Sequence, residues 1–375
     1  MLKVLIASVT AGQGHHSAAA AVADLLSQRG HETAVIDLIK EIGKPLYVAI
    51  DKGYNLSVNL TPRQYGRFYR TLEADSVLRR SVVKLFSNNL IANRANRKIH
   101  PMELDVIIST HPLAAQIIDE LMSRGAPRAL HVGIVTDYTI LPTWEDSKNI
   151  DYLVTCSSAI ETRAVSRGIP AEKLLPFGIP IHGRFLVKTE QSDARTSLGL
   201  RTDLPVALIM GGSMGYGGIV KIVKDAVEHI SGLQLIVVCG RSEKLINSLM
   251  ALDLPDTVHP MGFVSNVDVL MDASDFIITK PGGLSVSESL QKGLPMILFD
   301  PIPGQEEANA DYLVNYGMAM RSSEYVHVWE LIKVLITNPK RLEMMKESIA
   351  TFAVTNSTPR LVDFIEEKIQ SAINR

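Results

Sequence analysis

The sequence predicts an α/β protein made of two Rossmann-like domains, each a doubly wound parallel sheet, facing one another across a cleft. Three observations carry that expectation. β-like runs alternate with helical stretches along the chain, several of those runs are continuously apolar, and one strand–glycine turn–helix plan occurs twice. Unbroken apolar runs suit parallel strands that are covered on both faces. Alternation with helices is the signature of parallel α/β sheets.

The candidate strands are KVLIASV, TAVIDLI, LDVIIST, LHVGIVTD, DYLVTC, PVALIMG, LQLIVVCG, DFIITK and LPMILFD. The repeated plan opens the chain as KVLIASVTAGQGHHSAAAAVADLL and returns about 200 residues later as PVALIMGGSMGYGGIVKIVKDAV. Each copy is the opening unit of a doubly wound sheet. Between them IHGRFLVKTEQSDARTSLGLRTDLP is polar, lacks long apolar runs and reads as a linker near residues 179–204. The expected division is a first domain over 1–178, a second over 179–355, and a helix over 356–375 that packs back on the first.

At 375 residues the chain suits two domains of ordinary size. Hydrophobic content of 46% with 21% charged residues describes a soluble globular protein. A net charge of −2 does not call for a nucleic-acid partner. The two cysteines, Cys156 and Cys239, each end a β-like run, where a buried reduced thiol is expected; that fits a cytoplasmic protein. The chain opens on a strand, so no signal peptide is expected, and no window reaches the roughly 18 apolar residues a membrane span requires. Membrane contact, if made, is therefore expected to be peripheral.

Segment 61–100 differs from the rest. It carries nine basic residues (Arg63, Arg67, Arg70, Arg79, Arg80, Lys84, Arg94, Arg97 and Lys98) against Glu73 and Asp75, with aromatic and aliphatic residues interleaved. It reads either as a solvated helix face or as a basic amphipathic surface for anionic lipid headgroups. No nucleic-acid-binding module accompanies it.

The first glycine turn, GQGHHS, invites a dinucleotide reading. Gly12 and Gly14 match the first two fingerprint glycines and Asp37 ends the next strand, but Ser17 holds the third position and two histidines crowd the turn. A histidine there lies at the carboxyl end of a parallel strand, where such sheets bind ligands, and it can accept a proton near neutral pH. Adjacent histidines diverge and no further ligand completes a set, so no metal is expected and one of the pair is free to be structural. The second turn, Gly211 to Gly218, offers backbone N–H groups and a helix N-terminus to a diphosphate, without the G-K-[ST] ending of a P-loop. The densest stretch runs from Lys280 to Leu313. Pro281-Gly282-Gly283 leads into a helix bearing Glu288, and Asp300 is followed by a loop with Gln305, Glu306 and Asn309. A carboxylate on such a helix can accept both hydroxyls of a ribose, and the loop suits the hydroxyls of a hexose.

With these residues the chain resembles the inverting two-Rossmann-domain glycosyltransferases of GT-B architecture. Within them it is similar to the monogalactosyldiacylglycerol synthase and processive diacylglycerol β-glucosyltransferase family, and more distantly to the peptidoglycan lipid II N-acetylglucosaminyltransferase. The resemblance spans nearly the whole chain, through GQGHHSAA, IVTD, FGIPI, MGGS, MGFVSNVDVLM and KPGG…SES…GLP…PGQEEANA in that order. It implies His15 as general base at the acceptor hydroxyl, with Asp137 assisting or orienting. It implies Gly212 and Ser213 at the donor diphosphate, Phe263 and Val264 at uracil, Glu288 at ribose, and Gln305, Glu306 and Asn309 at the hexose. Gly14, Gly282 and Gly283 join them as nucleotide-side glycines. Two departures are visible: His182 stands where relatives often carry Arg, and YTILPTWED lacks a histidine that several relatives place before the tryptophan, here Trp144.

The implied reaction moves a hexose from a UDP-sugar to a lipid, diacylglycerol, with inversion, at the inner face of the cell membrane. The donor is a substrate and no cofactor is implied. No D-x-D occurs in the chain, so the displacement is expected to need no metal. A soluble acceptor, a UDP-sugar epimerase and a non-catalytic UDP-sugar sensor are the alternatives. The residues leave open which hexose is moved.

Overall fold

Along β1 (Lys3–Ser8) the side chains alternate between two apolar clusters, Val4 and Ile6 entering one and Leu5 and Ala7 the other. A strand buried on both faces must be apolar at every position, which is why KVLIAS shows no alternation in sequence. The computed structural model describes residues 1–10, 14–43, 71, 89–126, 128–211 and 218–374. The chain divides into two compact units: Met1–Gly183 with Ile302–Gln305 and Val354–Arg375, and Arg184–Pro301 with Glu306–Ala353.

The first unit holds a six-stranded, all-parallel sheet of order β2-β1-β3-β4-β5-β6. After β1 come β2 (Glu32–Asp37), β3 (Val106–Ser109), β4 (Leu130–Ile134), β5 (Tyr152–Val154) and β6 (Leu174–Leu175). One face is covered by helix Gly14–Gln28 through Ala19, Val22 and Leu26, and by the terminal helix Ser357–Ile373 through Leu361, Val362 and Ile365. Helices Asn89–Ile99 and Pro112–Ser123 cover the other face. The terminal helix is pinned at its start. Ser357 Oγ donates to the Ile179 carbonyl at 2.8 Å and Thr358 Oγ1 to that of Ile181 at 2.6 Å, which fixes the FGIPI segment.

The second unit repeats the plan in the order β12-β11-β10-β7-β8-β9. Its strands are β7 (Val206–Met210), β8 (Gln234–Val238), β9 (Val258–Met261), β10 (Phe276–Thr279), β11 (Met296–Leu298) and β12 (Ala319–Arg321). Read from β9, this is the 3-2-1-4-5-6 order of dinucleotide-binding sheets. In both units the first strand lies between strands reached by opposite excursions of the chain. The level registers Ala7↔Ser109 and Met210↔Thr279 bring the carboxyl ends of β1 and β3, and of β7 and β10, side by side. Ligands of open α/β sheets bind at such points.

Three strands are absent from the nine apolar runs: β6, β9 and β12. All three lie at sheet edges, where half of the hydrogen bonding and much of the burial is missing, so continuous apolarity is not required. β9 even contains Pro260, which only an edge tolerates.

From Arg184 on, the polar stretch read as a linker is structured as part of the second unit. It contains helix Gln191–Ser197, and although most of its polar residues are exposed, a few contacts tie it to buried groups of that unit. The Arg195 guanidinium donates to Asp275 at 2.8 Å and to the Ala273 carbonyl at 2.9 Å. Lys292 Nζ, 1% exposed, donates to the equally buried Asp272 at 2.7 Å and to the Val187 carbonyl, while Thr189 N–H donates to the same Asp272 oxygen.

Candidate active site

At the carboxyl ends of β1, β3 and β4 in the first unit, the two adjacent histidines take different parts. His15 lies in the first turn of helix Gly14–Gln28, one residue after Gly14. Its Nδ1 sits 2.7 Å from the Thr110 carbonyl oxygen and 3.0 Å from Thr136 Oγ1. A carbonyl oxygen only accepts, so Nδ1 must carry the proton and Nε2 is left with its lone pair. Burial pushes this imidazole down to about 4, against the hydrogen bond to Thr110 and with His16 adding to the fall. At neutral pH the ring is therefore the neutral, proton-accepting form.

His16 turns the other way. Its Nε2 lies 2.9 Å from Thr10 Oγ1 and 3.6 Å from Asp37 Oδ2. The hydroxyl of Thr10 also donates to Asp37, and Asp37 caps helix Leu38–Ile42 by accepting from Lys40 N–H at 3.0 Å. Burial works to raise the Asp37 carboxyl, yet the hydrogen bonds from His16, Thr10 and Lys40 hold it near 2. Asp37, the residue a dinucleotide reading would give to a ribose, is occupied within its own domain, and His16 is the structural histidine.

Asp137 follows β4, partly buried, and accepts a hydrogen bond from Gln305 Nε2 at 3.0 Å, both residues belonging to the first unit. His182 Nε2 is 3.0 Å from Asp24 Oδ2 on helix Gly14–Gln28. Trp144 is a core residue: a Cβ added at Gly133 would come within 2.8 Å of its ring. Thr110, Thr136 and His111 are the residues that sequence reasoning missed. Their signal was present only as position, at the carboxyl ends of apolar runs, in IIST-HP and in IVTD.

In the second unit, Phe263 and Val264 follow β9, and Gly282 and Gly283 follow β10. Gly282 caps helix Gly283–Gln291, and a Cβ there would lie 3.8 Å from the Glu306 carboxylate. The loop expected around Gln305, Glu306 and Asn309 is in fact the start of helix Gln305–Asn315. The loop ends at Gly304 (φ 103°), and the acidic side chains Glu306 and Glu307 suit the first turn. Asn309 is fully buried and its amide donates to the Pro281 carbonyl at 3.0 Å, so it braces the glycine turn.

Phe263 is 67% exposed, with the Arg241 guanidinium 5.1 Å above its ring, and Val264 beside it is partly buried. Arg184 donates to the Ser265 carbonyl at 2.9 Å. Burial pushes the Glu288 carboxyl up to about 7, with Arg184 pulling it down and Asp268 adding to the rise. Gly212 and Ser213 lie outside the described residues, as do Gly12 and the basic residues from Arg63 to Lys84. Of the described part of the basic segment, helix Asn89–Ile99 turns Ile91, Ala92, Ala95 and Ile99 into the core. Its Arg94 and Lys98 reach the Ile42 carbonyl and Glu41. Its apolar stripe is thus a core face and does not face lipid.

Cys156 and Cys239 are both buried, and burial pushes the Cys156 thiol up to about 12, which leaves it unreactive. Among the described residues no cluster of three or more His, Cys, Asp or Glu is placed to hold a metal ion, and no helix is long and apolar enough to cross a membrane.

Residues 15–181 match the monogalactosyldiacylglycerol (MGDG) synthase family, and residues 206–360 match the glycosyltransferase family 28 C-terminal domain. The processive diacylglycerol beta-glucosyltransferase of Bacillus pumilus is 27% identical over 369 residues, 98% of this chain and 95% of that protein. Among solved structures, Acinetobacter baumannii MurG superposes with a TM-score of 0.64 at 17% identity, covering 98% of this chain and all of that one. Anabaena Alr3699/HepE in complex with UDP and glucose does so at 0.56 and 16%, both chains covered in full. These likenesses show the GT-B fold. The chain is thus an N-terminal domain of the monogalactosyldiacylglycerol synthase family followed by a glycosyltransferase family 28 C-terminal domain, the make-up of a glycosyltransferase.

Proposed function

We propose that this protein transfers a hexose from a UDP-sugar to the free hydroxyl of diacylglycerol with inversion, giving a β-glycolipid at the inner face of the cell membrane. The observation that carries the reading is His15. In a domain of the synthase family, a neutral imidazole at the switch point has its Nδ1 proton committed to Thr110 and its Nε2 lone pair left to act as base.

In the step, His15 Nε2 takes the acceptor O–H proton while that oxygen bonds to the anomeric carbon. The bond from that carbon to the diphosphate breaks, UDP leaves with the electron pair, and the protonated imidazole later returns its proton to solvent. Asp137 and Gln305 are assigned to orienting the acceptor and the sugar. In the second unit Glu288 is assigned to the ribose, Phe263 and Val264 to uracil, and Gly282, Gly283 and Glu306 to the sugar-diphosphate side, with Asn309 as the brace of that turn. Gly212 and Ser213 are assigned to the diphosphate. No metal takes part in the proposed displacement. Anionic headgroups are the proposed counterpart of the basic 61–100 segment.

The test is the product. Incubation of the protein with diacylglycerol liposomes and UDP-glucose or UDP-galactose should give a hexosyl-diacylglycerol by mass spectrometry, with a β-anomeric proton by NMR. An α-linked product, or none, would contradict the reading.

A second prediction concerns the donor. Ribose hydroxyls donate to the ionised form of Glu288, so binding must first remove the proton that burial favours. UDP-sugar affinity should be full above pH 7 and fall as the carboxyl protonates, about tenfold between pH 8 and pH 6. The UDP-sugar itself does not titrate in this range. Calorimetry across that interval measures it, with Glu288→Gln removing the slope; a flat profile in the parent protein would place the ribose elsewhere.

A further inference from the structure

Beside His15 stands a second neutral imidazole in the opposite tautomer. His111 follows β3 and caps helix Pro112–Ser123, its Nδ1 accepting the backbone N–H of Leu113 at 3.0 Å. A backbone N–H only donates, so Nδ1 holds the lone pair and the neutral ring carries its proton on Nε2. For His15 the carbonyl of Thr110 dictates the reverse, Nδ1–H with a bare Nε2. The two rings meet edge to face, centroids 4.6 Å apart and planes at 74°. Burial keeps His111 neutral as it does His15, the two neighbouring histidines adding to the effect and Asp37 opposing it. Thr110, which precedes His111 in the chain, has its Oγ1 buried without a hydrogen-bond partner among the described residues. A hydroxyl group is both donor and acceptor, and this pair offers it one lone pair and one N–H.

We propose that His111 is a second catalytic residue of the first unit, its Nε2–H donating to the same acceptor oxygen whose proton His15 Nε2 removes. The inference deepens the transferase reading and rests on it. His111 keeps its proton throughout. Its hydrogen bond decides which lone pair of the oxygen faces the anomeric carbon, and it stabilises the negative charge that grows as the proton leaves. The O–H proton still passes to His15, and the bonding electrons of the leaving group still depart with UDP.

Two substitutions separate this role from the helix cap. His111→Asn keeps a strong N-cap acceptor near the position of Nδ1 but removes the outer N–H. His111→Gln places an amide N–H close to the position of Nε2. Steady-state transfer to diacylglycerol in liposomes should show kcat for His111→Asn reduced about 10- to 100-fold, the loss of one hydrogen bond in the transition state. KM for the UDP-sugar and the thermal midpoint should stay unchanged, and His111→Gln should recover part of kcat. Equal kcat in His111→Asn and the parent, or losses in both variants that simply follow a lowered melting midpoint, would overturn the inference and leave the transferase reading standing. No transfer by the parent protein would overturn the reading itself, and the inference with it.

Discussion

His15→Ala is expected to lower hexose transfer by about 10²- to 10⁴-fold, the usual contribution of a positioned general base, while UDP-sugar affinity stays within error of the parent. The split follows from where the parts lie. His15 belongs to the first unit, and its contacts are with Thr110 and Thr136. The residues assigned to nucleotide recognition, Phe263, Val264 and Glu288, belong to the second. Loss of the base should therefore appear in kcat and in kcat/KM alike, the pattern of an interaction made only in the transition state. Stopped assays with saturating donor, beside calorimetric titration of the same variant, measure both quantities. Turnover equal to that of the parent would remove His15 from the chemistry. A matching loss of donor affinity would instead point to a collapsed domain.

The largest effect on stability is expected at Lys292. Its ammonium and the Asp272 carboxylate are each 1% exposed and 2.7 Å apart, and the same carboxylate oxygen accepts the N–H of Thr189. Lys292→Met removes the cation and leaves a carboxylate buried alone, a change that costs about 3–5 kcal/mol. In a unit of this size that corresponds to a melting midpoint lower by roughly 10 °C. Adding Asp272→Leu should recover much of the loss, because replacing both members of a buried pair with apolar groups is far less costly than orphaning one. The consequence reaches function, since Lys292 ends the helix Gly283–Gln291 that carries Glu288 and ties it to the Val187–Thr189 segment. Thermal melts of the single and double variants measure it. A single variant within about 1 kcal/mol of the parent, the range of a surface pair, would show that the pair is solvated.

The inner strands were legible because a parallel strand with helices on both faces has to be apolar throughout, as KVLIAS and VALIM are. Edge strands carry no such demand, and Leu174–Leu175, Val258–Met261 and Ala319–Arg321 escaped notice. The stretch after FGIPI misled for the opposite reason. Most of its polar residues are exposed, as in a linker, but Arg195 is buried on Asp275 and the backbone of Val187 and Thr189 is held by the buried Lys292 and Asp272; composition does not reveal such distant partners. The site was legible in part. A histidine on a glycine turn after the first strand marks itself, and so does a glycine turn before a helix bearing a carboxylate. The partners that give His15 its tautomer do not, because Thr110 and Thr136 are 95 and 121 residues away and arrive only when β3 pairs with β1 and β4 with β3. Asn309 shows the limit from the other side. Its residue type suits a sugar hydroxyl, yet its amide is spent on Pro281.

The most direct test of the account is UDP release from UDP-glucose, UDP-galactose and UDP-N-acetylglucosamine, with and without diacylglycerol in anionic liposomes, in the presence of EDTA. Release from one of the hexose donors should depend on diacylglycerol and survive the chelator. Release that ignores the lipid, or that appears only with a soluble acceptor, would contradict the account.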